Sequence, residues 1–454
     1  MRFQFRSTIR SHVIYYVLIG ALAAWWLVSI KNYPEQGLWI VYWVAAFLLS
    51  VRVPKHPMIS ILVFIMIAYV TPRYGVQRQI LYDLSILPFL CWISLWGIFL
   101  SIDPIKTNGL RVNAIVLVFM LFMVWIGLSL VASSRFDLVR HTASLNHGPI
   151  QYFYCLVFFM AASQYLNKIS TGFWFALCIC LGVLVRGGIL WLNKDIYLTS
   201  DIGMFSAIVF PLGLLLAWHH RSLAVRVVCG LLSVCFPGII LLTQNRTAGV
   251  TFISVVTCLF ILSSHKLKMI VAGIPCLILL KFVFPVEYWH RFRVIWDKTA
   301  EHASANLDLS TMLQRLQLWD VGLEMFKRHF VIGVGPGNFS LFINQFPGQD
   351  FNKKLAAHNS IVSIASETGL PGLIFYGLLW ASVMGILLKS MYIKDENSVY
   401  YKYILASILG CFIAGLFSSR QDFVFVYILF GWVAALTSKK MLVFKEGRLV
   451  SEPI

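Results

Sequence analysis

Apolar runs close to the length of a bilayer crossing recur along almost the whole chain, and that recurrence leaves few folds open. We read fourteen of them, near 13–30, 38–51, 57–71, 85–102, 112–132, 149–166, 173–192, 200–218, 223–242, 247–264, 268–286, 359–388, 403–418 and 422–437. About 20 helical residues cross a hydrocarbon layer of ~30 Å. The second and third runs are short, so about 12–14 full crossings are expected. Of 454 residues, 59% are hydrophobic and 12% charged, and no soluble domain of that size needs so much apolar surface. A β-barrel would show short alternating segments, which the sequence lacks. The expected fold is an all-α polytopic membrane protein. Residues 1–12 are basic, but Val13–Ile30 is long enough to span and lacks a small-residue cleavage site, so no cleaved signal peptide is expected.

The net charge of +18 is spread over the connecting loops, which argues against nucleic acid as a partner. Alternating sides places Arg2, Arg6, Arg10, Arg52, Lys55, Lys106, Arg111, Lys168, Arg221, Arg226, Lys266, Lys268, Lys389, Lys394, Lys402, Lys439, Lys440, Lys445 and Arg448 together. By the positive-inside rule that side is cytoplasmic, with both termini inside. The other side also carries bases that topology does not require, among them Arg73, Arg78, Arg135, Arg140, Arg246, Arg291, Arg293, Arg315, Lys353 and Lys354. They read either as ordinary mixed-charge loops or as an outward cavity that holds a phosphate or pyrophosphate. All nine cysteines lie in apolar runs, so neither a disulfide framework nor a metal site is expected.

One long hydrophilic stretch, 287–358, interrupts the apolar pattern late in the chain. It divides the expected organisation into an N-terminal membrane part (1–286), an outward loop (287–358), a C-terminal membrane part (359–437) and a cytoplasmic tail (438–454). Within the loop, Ser310 is placed to cap a helix with an apolar stripe of Met312, Leu316, Trp319, Leu323 and Phe326. Such a helix lies on the membrane or on the bundle. Gly333-Val334-Gly335-Pro336-Gly337 then ends it, and this run lacks the preceding strand and the lysine of a phosphate-binding loop.

Four residues stand out chemically. His358 sits where the loop re-enters the apolar phase, which suits either a structural interface histidine or a general base. If 358–369 is one helix, Ala365 and Gly369 share its face and Glu367 lies opposite, so Glu367 satisfies backbone or an arginine instead. Arg246 stands at a helix N-terminus, as an interfacial anchor or beside free N–H groups that favour a diphosphate. Arg315 lies one turn before Trp319, either solvated or in a cation–π contact. Arg186 lies inside an apolar run, where an arginine either snorkels outward or serves a function.

Three stretches together resemble the O-antigen ligase/polymerase superfamily of bacterial inner-membrane proteins: Asn245-Arg246-Thr247-Ala248-Gly249; Arg315, Trp319 and Met325-Phe326 running into Gly333-Val334-Gly335-Pro336-Gly337-Asn338-Phe339; and His358-Asn359-Ser360 with Glu367-Thr368-Gly369 and Gly372. The resemblance covers roughly 240–380 and is specific for the superfamily; within it, an O-antigen ligase-like member is the lead reading. It implies an inverting, metal-independent glycosyltransferase with no cofactor, acting at the periplasmic face of the inner (cytoplasmic) membrane. Its donor would be a glycan on undecaprenyl diphosphate, and its acceptor a lipid A–core sugar hydroxyl or a growing glycan, with membrane lipids around it. On that resemblance His358 is the base and Arg246 and Arg315 bind diphosphate; Arg186 matches no motif and joins them on its depth alone. Members acting on proteins tend to carry a further C-terminal domain, so a non-protein acceptor is expected. A polymerase using the same donor, and a polysaccharide-lipid flippase, remain the alternatives.

Overall fold

The computed structural model describes residues 110–111, 113–133, 149–193, 199–220, 222–243, 245–267, 270–271, 303–345, 355–393, 398–419, 421–438, 440–445 and 448–453. The first four apolar runs, almost all of that at 268–286, and Arg73, Arg78, Arg135, Arg140, Arg291, Arg293, Lys353 and Lys354 lie outside them, so the expected count of 12–14 crossings extends beyond the described residues.

Nine helices take up the remaining runs: α1 (Ala114–Ala132), α2 (Pro149–Tyr165), α3 (Ile169–Asn193), α4 (Thr199–His219), α5 (Leu223–Thr243), α6 (Arg246–Leu262), α9 (Ser360–Tyr392), α10 (Ser398–Leu416) and α11 (Val424–Thr437). The polar stretch between α6 and α9 contributes α7 (Ala303–Arg328) and the single turn α8 (Phe339–Phe342). Among the described residues, five helices are long and apolar enough to cross a membrane, and three shorter apolar helices accompany them. Helix α1 shows what surrounds the bundle. Ile115, Phe119, Phe122 and Ile126 are buried at helical spacing, while Leu117, Leu121, Val124, Leu128 and Val131 are exposed on the opposite side. A helix as apolar outside as inside suits lipid, where the backbone must satisfy itself internally. The chain is an all-α polytopic membrane protein.

One small sheet departs from the helical pattern. Leu110–Arg111 (β1) pairs antiparallel with Lys440–Lys445 (β2), which pairs with Arg448–Pro453 (β3). The tail segment expected to follow the last span therefore folds back as a hairpin beside the start of α1. Asn113 reinforces the junction, donating to the Ala434 carbonyl at 3.0 Å and the Thr437 hydroxyl at 3.3 Å.

The bundle has two distinguishable ends. At one, Phe173, His219, His220 and Tyr400 meet, which brings together the connections after α2, α4 and α9. At the other, the beginning of α4 meets the end of α5 and the start of α6, where a Cβ on Gly203 would lie 2.2 Å from the Thr243 hydroxyl and 3.0 Å from Ala248. Lipid gives no hydrophobic drive between helices, so close approach at small residues holds them together. Helix α11 is buried along most of its length, and at Gly431 a Cβ would stand 2.6 Å from the Phe159 carbonyl of α2. Gly431→Ala is expected to cost about 1–3 kcal/mol through overpacking. Gly377→Ala, in α9 with nothing within 4 Å, should be neutral or gain up to about 1 kcal/mol in helix propensity. Thermal unfolding of both variants in detergent checks the pair; equal melting points would refute the packing account.

Candidate functional site

Helix α9 breaks at Gly369, whose φ of 68° and ψ of −168° interrupt the helical path two residues before Pro371. Proline has no N–H, so the Glu367 carbonyl loses its partner within the helix. The glycine-rich loop after α7 fills the gap. Val334 N–H donates to the Ser366 carbonyl and Gly335 N–H to that of Glu367, both at 2.9 Å, while Leu370 N–H reaches back to the Phe330 carbonyl at 2.8 Å. From α1, the Ser129 hydroxyl donates to the Ile332 carbonyl (2.7 Å) and Trp125 Nε1 to that of Thr368 (2.8 Å). The approach demands glycine. A Cβ on Gly333 would sit 2.3 Å from the Glu367 carbonyl carbon, one on Gly369 2.2 Å from the Val331 oxygen, and both residues have positive φ. The loop's amides at 333, 334 and 335 are engaged with carbonyls, as expected of a helix-ending turn and not of a phosphate cradle. Buried Glu367 extends the lock, its Oε1 accepting from Phe339 N–H at 3.3 Å.

His358 lies at the entry to α9, not on it. Asn359 is the N-cap, its side chain accepting from Ile361 N–H (2.9 Å) and Val362 N–H (3.1 Å). The helical wheel that grouped His358 with Ala365 and Gly369 therefore does not apply, because the helix starts two residues later. His358 has φ 52°, the one non-glycine residue with positive φ among the described residues. That conformation costs an L-residue of this kind about 1–2 kcal/mol. It is held from both sides. Ahead of it, buried Ala357 accepts from Trp319 Nε1 at 3.0 Å. Behind it, the Ser360 hydroxyl donates to the Ser418 carbonyl at 3.2 Å.

Trp319 belongs to α7, and so does Arg315. Helix α7 runs from Ala303, without interruption at Ser310, so Ser310 is an interior residue and not a cap. Its packed face is also not the stripe expected from spacing. Leu318, Val321 and Met325 are buried against Val334, Phe339 and Ala357, and Gly322 lets Val362 of α9 come close. Leu316 and Leu323 stay exposed. Trp319 turns to Ala357, so the indole is committed to the histidine's backbone.

Half-buried Arg315 has its guanidinium pKa pulled below the usual range, first by burial and then by the charge of Arg246. The fold thus places two arginines far apart in sequence within range of each other's charge. Arg246 is the first residue of α6 and is exposed. The Asn245 side chain already accepts from Thr247 N–H (2.9 Å) and Ala248 N–H (3.4 Å), so those amides, expected as anion donors, serve the cap. What the helix end offers is the guanidinium. Arg186 lies within α3, next to Gly187, which packs on Ile239 of α5; the Arg186 side chain lies outside the described residues.

The segment 418–422 was legible only as a short connector, yet Ser419, Gln421 and Asp422 form a buried polar patch against the first turns of α9. The hydroxyls of Ser363 and Ser419 lie 3.1 Å apart, Gln421 and Asp422 are buried, and the Tyr427 hydroxyl donates to the Gln421 carbonyl. Tyr152 of α2 is close enough to both Glu367 and Asp422 to sense their charges. The available signal was the polar run Ser418-Ser419-Arg420-Gln421-Asp422 between two apolar spans. Buried polar groups in a membrane protein mark functional ground more often than packing.

Residues 231–377 match the family described as O-antigen ligase, a segment that contains Arg246, Arg315 and His358 but not Arg186. The teichuronic acid biosynthesis protein TuaE of Bacillus subtilis (strain 168) is 22% identical over 260 residues, 56% of this chain and 53% of that protein. The alignment spans about half of that relative's length. The superfamily resemblance read from the motifs is the one these comparisons return.

Proposed function

We propose, with the O-antigen ligase match over 231–377 as premise, that the chain is a glycosyltransferase that takes a glycan from undecaprenyl diphosphate and joins it to a sugar hydroxyl at the periplasmic face of the inner membrane. The observation that carries this reading is the position of half-buried Arg315, close enough to Arg246 of α6 to feel its charge, on the helix whose Trp319 holds the residue before His358. In the reaction, the imidazole of His358 takes the proton of the acceptor hydroxyl. The acceptor oxygen attacks the anomeric carbon from the side opposite the diphosphate, so the configuration inverts. The bond from that carbon to the diphosphate oxygen breaks, and its electron pair leaves with undecaprenyl diphosphate. Two fixed guanidiniums stabilise the charge that develops there, and the mechanism calls on no metal. Arg186 serves in this reading as a third, deeper cation for the diphosphate.

The acceptor assigned is a lipid A–core hydroxyl. A second reading, a polymerase that adds the donor glycan to another lipid-linked glycan, is favoured by a relative named for teichuronic acid biosynthesis. The full chain reconstituted in vesicles with an undecaprenyl-diphosphate glycan separates them. A ligase forms product only when lipid A–core is added, whereas a polymerase lengthens the donor without it. Translocation of the lipid-linked glycan with no transfer to either acceptor would sink the enzyme reading in favour of a flippase.

A further inference from the structure

Helix α7 carries an apolar strip beside its packed face, on which Leu316 and Leu323 are exposed while Trp319 and Phe326 are half-buried. At about 100° per residue, Leu316, Trp319, Leu323 and Phe326 share an arc of about 80°, and Arg315 stands at its edge, next to the packed face. Leu316 and Leu323 are 42% and 47% exposed, and the strip continues into the turn after the helix, where Phe330 and Val331 are 48% and 58% exposed. The Phe326 and Phe330 rings touch, with centroids 5.1 Å apart, so the apolar surface is continuous across the helix end. That turn is fastened to two membrane helices: Ile332 to Ser129, within the last turn of α1, and Phe330 to Leu370 of α9. The strip therefore starts beside Arg315 and ends at a turn held to α1 and α9. From Arg315 to the helix end at Arg328 it covers roughly 20 Å, more than the ~15 Å of one leaflet.

We infer that this strip is the docking track for the polyisoprenyl chain of the donor, with the diphosphate at its head. The inference rests on the proposed function for the identity of the ligand. Its physical basis is continuity: a molecule that is anionic at one end and apolar along the rest meets Arg315, within range of the charge of Arg246, and then an apolar lane along the same helix as Arg315. Ordinary acyl chains also wet an apolar surface, but they bring no diphosphate to Arg246 and Arg315.

The test uses the full chain in phospholipid vesicles and a polyprenyl diphosphate bearing a photoreactive group along its chain. Crosslinks are expected at Leu316, Leu323 and Phe330, and unlabelled polyprenyl diphosphate should reduce them about tenfold while excess phospholipid does not. Label spread equally over Leu117, Leu121 and Val124 of the lipid-facing side of α1, or label that unlabelled polyprenyl diphosphate does not displace, would overturn the track. In transfer assays, Leu316→Ser with Leu323→Ser should reduce about tenfold the preference for a long-chain over a short-chain donor, measured as the ratio of kcat/KM values. Leu313→Ser, exposed outside the strip, should keep that preference. Equal loss with both donors would mean that the strip is only structural. Competed crosslinking in a protein that transfers no glycan would keep the track and reject the glycosyltransferase.

Discussion

Replacing Arg246 or Arg315 with alanine is expected to slow glycan transfer by about 10²–10³-fold, the usual result of removing one preorganised donor from a site where negative charge develops. The two losses should combine to less than their product, because both guanidiniums serve one leaving group. Stability should move the other way. Arg315 is half-buried, and burial first and the like charge of Arg246 second disfavour its charged form, so the folded protein bears a cost that Arg315→Ala removes. The Arg315→Ala variant should therefore melt at or above the wild-type temperature while turning over far more slowly. Lysine at either position keeps the charge but not the planar fork, and should recover only part of the rate. Transfer at the wild-type rate in both alanine variants would defeat the diphosphate assignment. A melting point that falls along with activity would mean the arginines are structural.

The spans themselves were readable because apolar length is a local property. Nine runs became nine helices with ends within a few residues of those expected. What spacing could not give was which side of a helix finds a partner. In α7 the residues Leu316 and Leu323 satisfy the amphipathic pattern, yet the bundle takes Leu318, Val321 and Met325, because Gly322 opens that side to Val362. The break in α9 was visible in Gly369 and Pro371, but the strand of loop that repairs it comes from the glycine-rich run more than thirty residues earlier, and no local rule connects them. The placing of Arg315 within range of the charge of Arg246 is non-local in the same way. Asp422 and Ser419 were passed over because a five-residue polar connector looks the same whether it faces water or lines a site. The tail hairpin escaped because a run of charged and apolar residues after a last span reads as a simple extension.

The largest single loss should come at His358, and its backbone makes the experiment more informative than an alanine scan. Without a proton acceptor the hydroxyl is a poor nucleophile, so His358→Ala should lower kcat by about 10²–10⁴-fold. On its own that result would not separate a base from a residue that merely shapes the entry to α9. His358→Gly does so. With φ at 52° the histidine holds a conformation that glycine adopts freely, so the glycine variant should exceed the alanine variant in thermal stability while remaining as inactive. The supports on either side, Trp319 on Ala357 and Ser360 on Ser418, involve the neighbours of His358 and not its own side chain, so they survive both substitutions. Trp319→Phe removes one of them. It should lower kcat by a smaller factor, about tenfold, because the imidazole remains but its position loosens. If His358→Gly transfers glycan at the wild-type rate, the strained backbone has no catalytic purpose and the base lies elsewhere. If the variant is inactive but stable, the imidazole itself, and not the shape of the entry to α9, is what transfer requires.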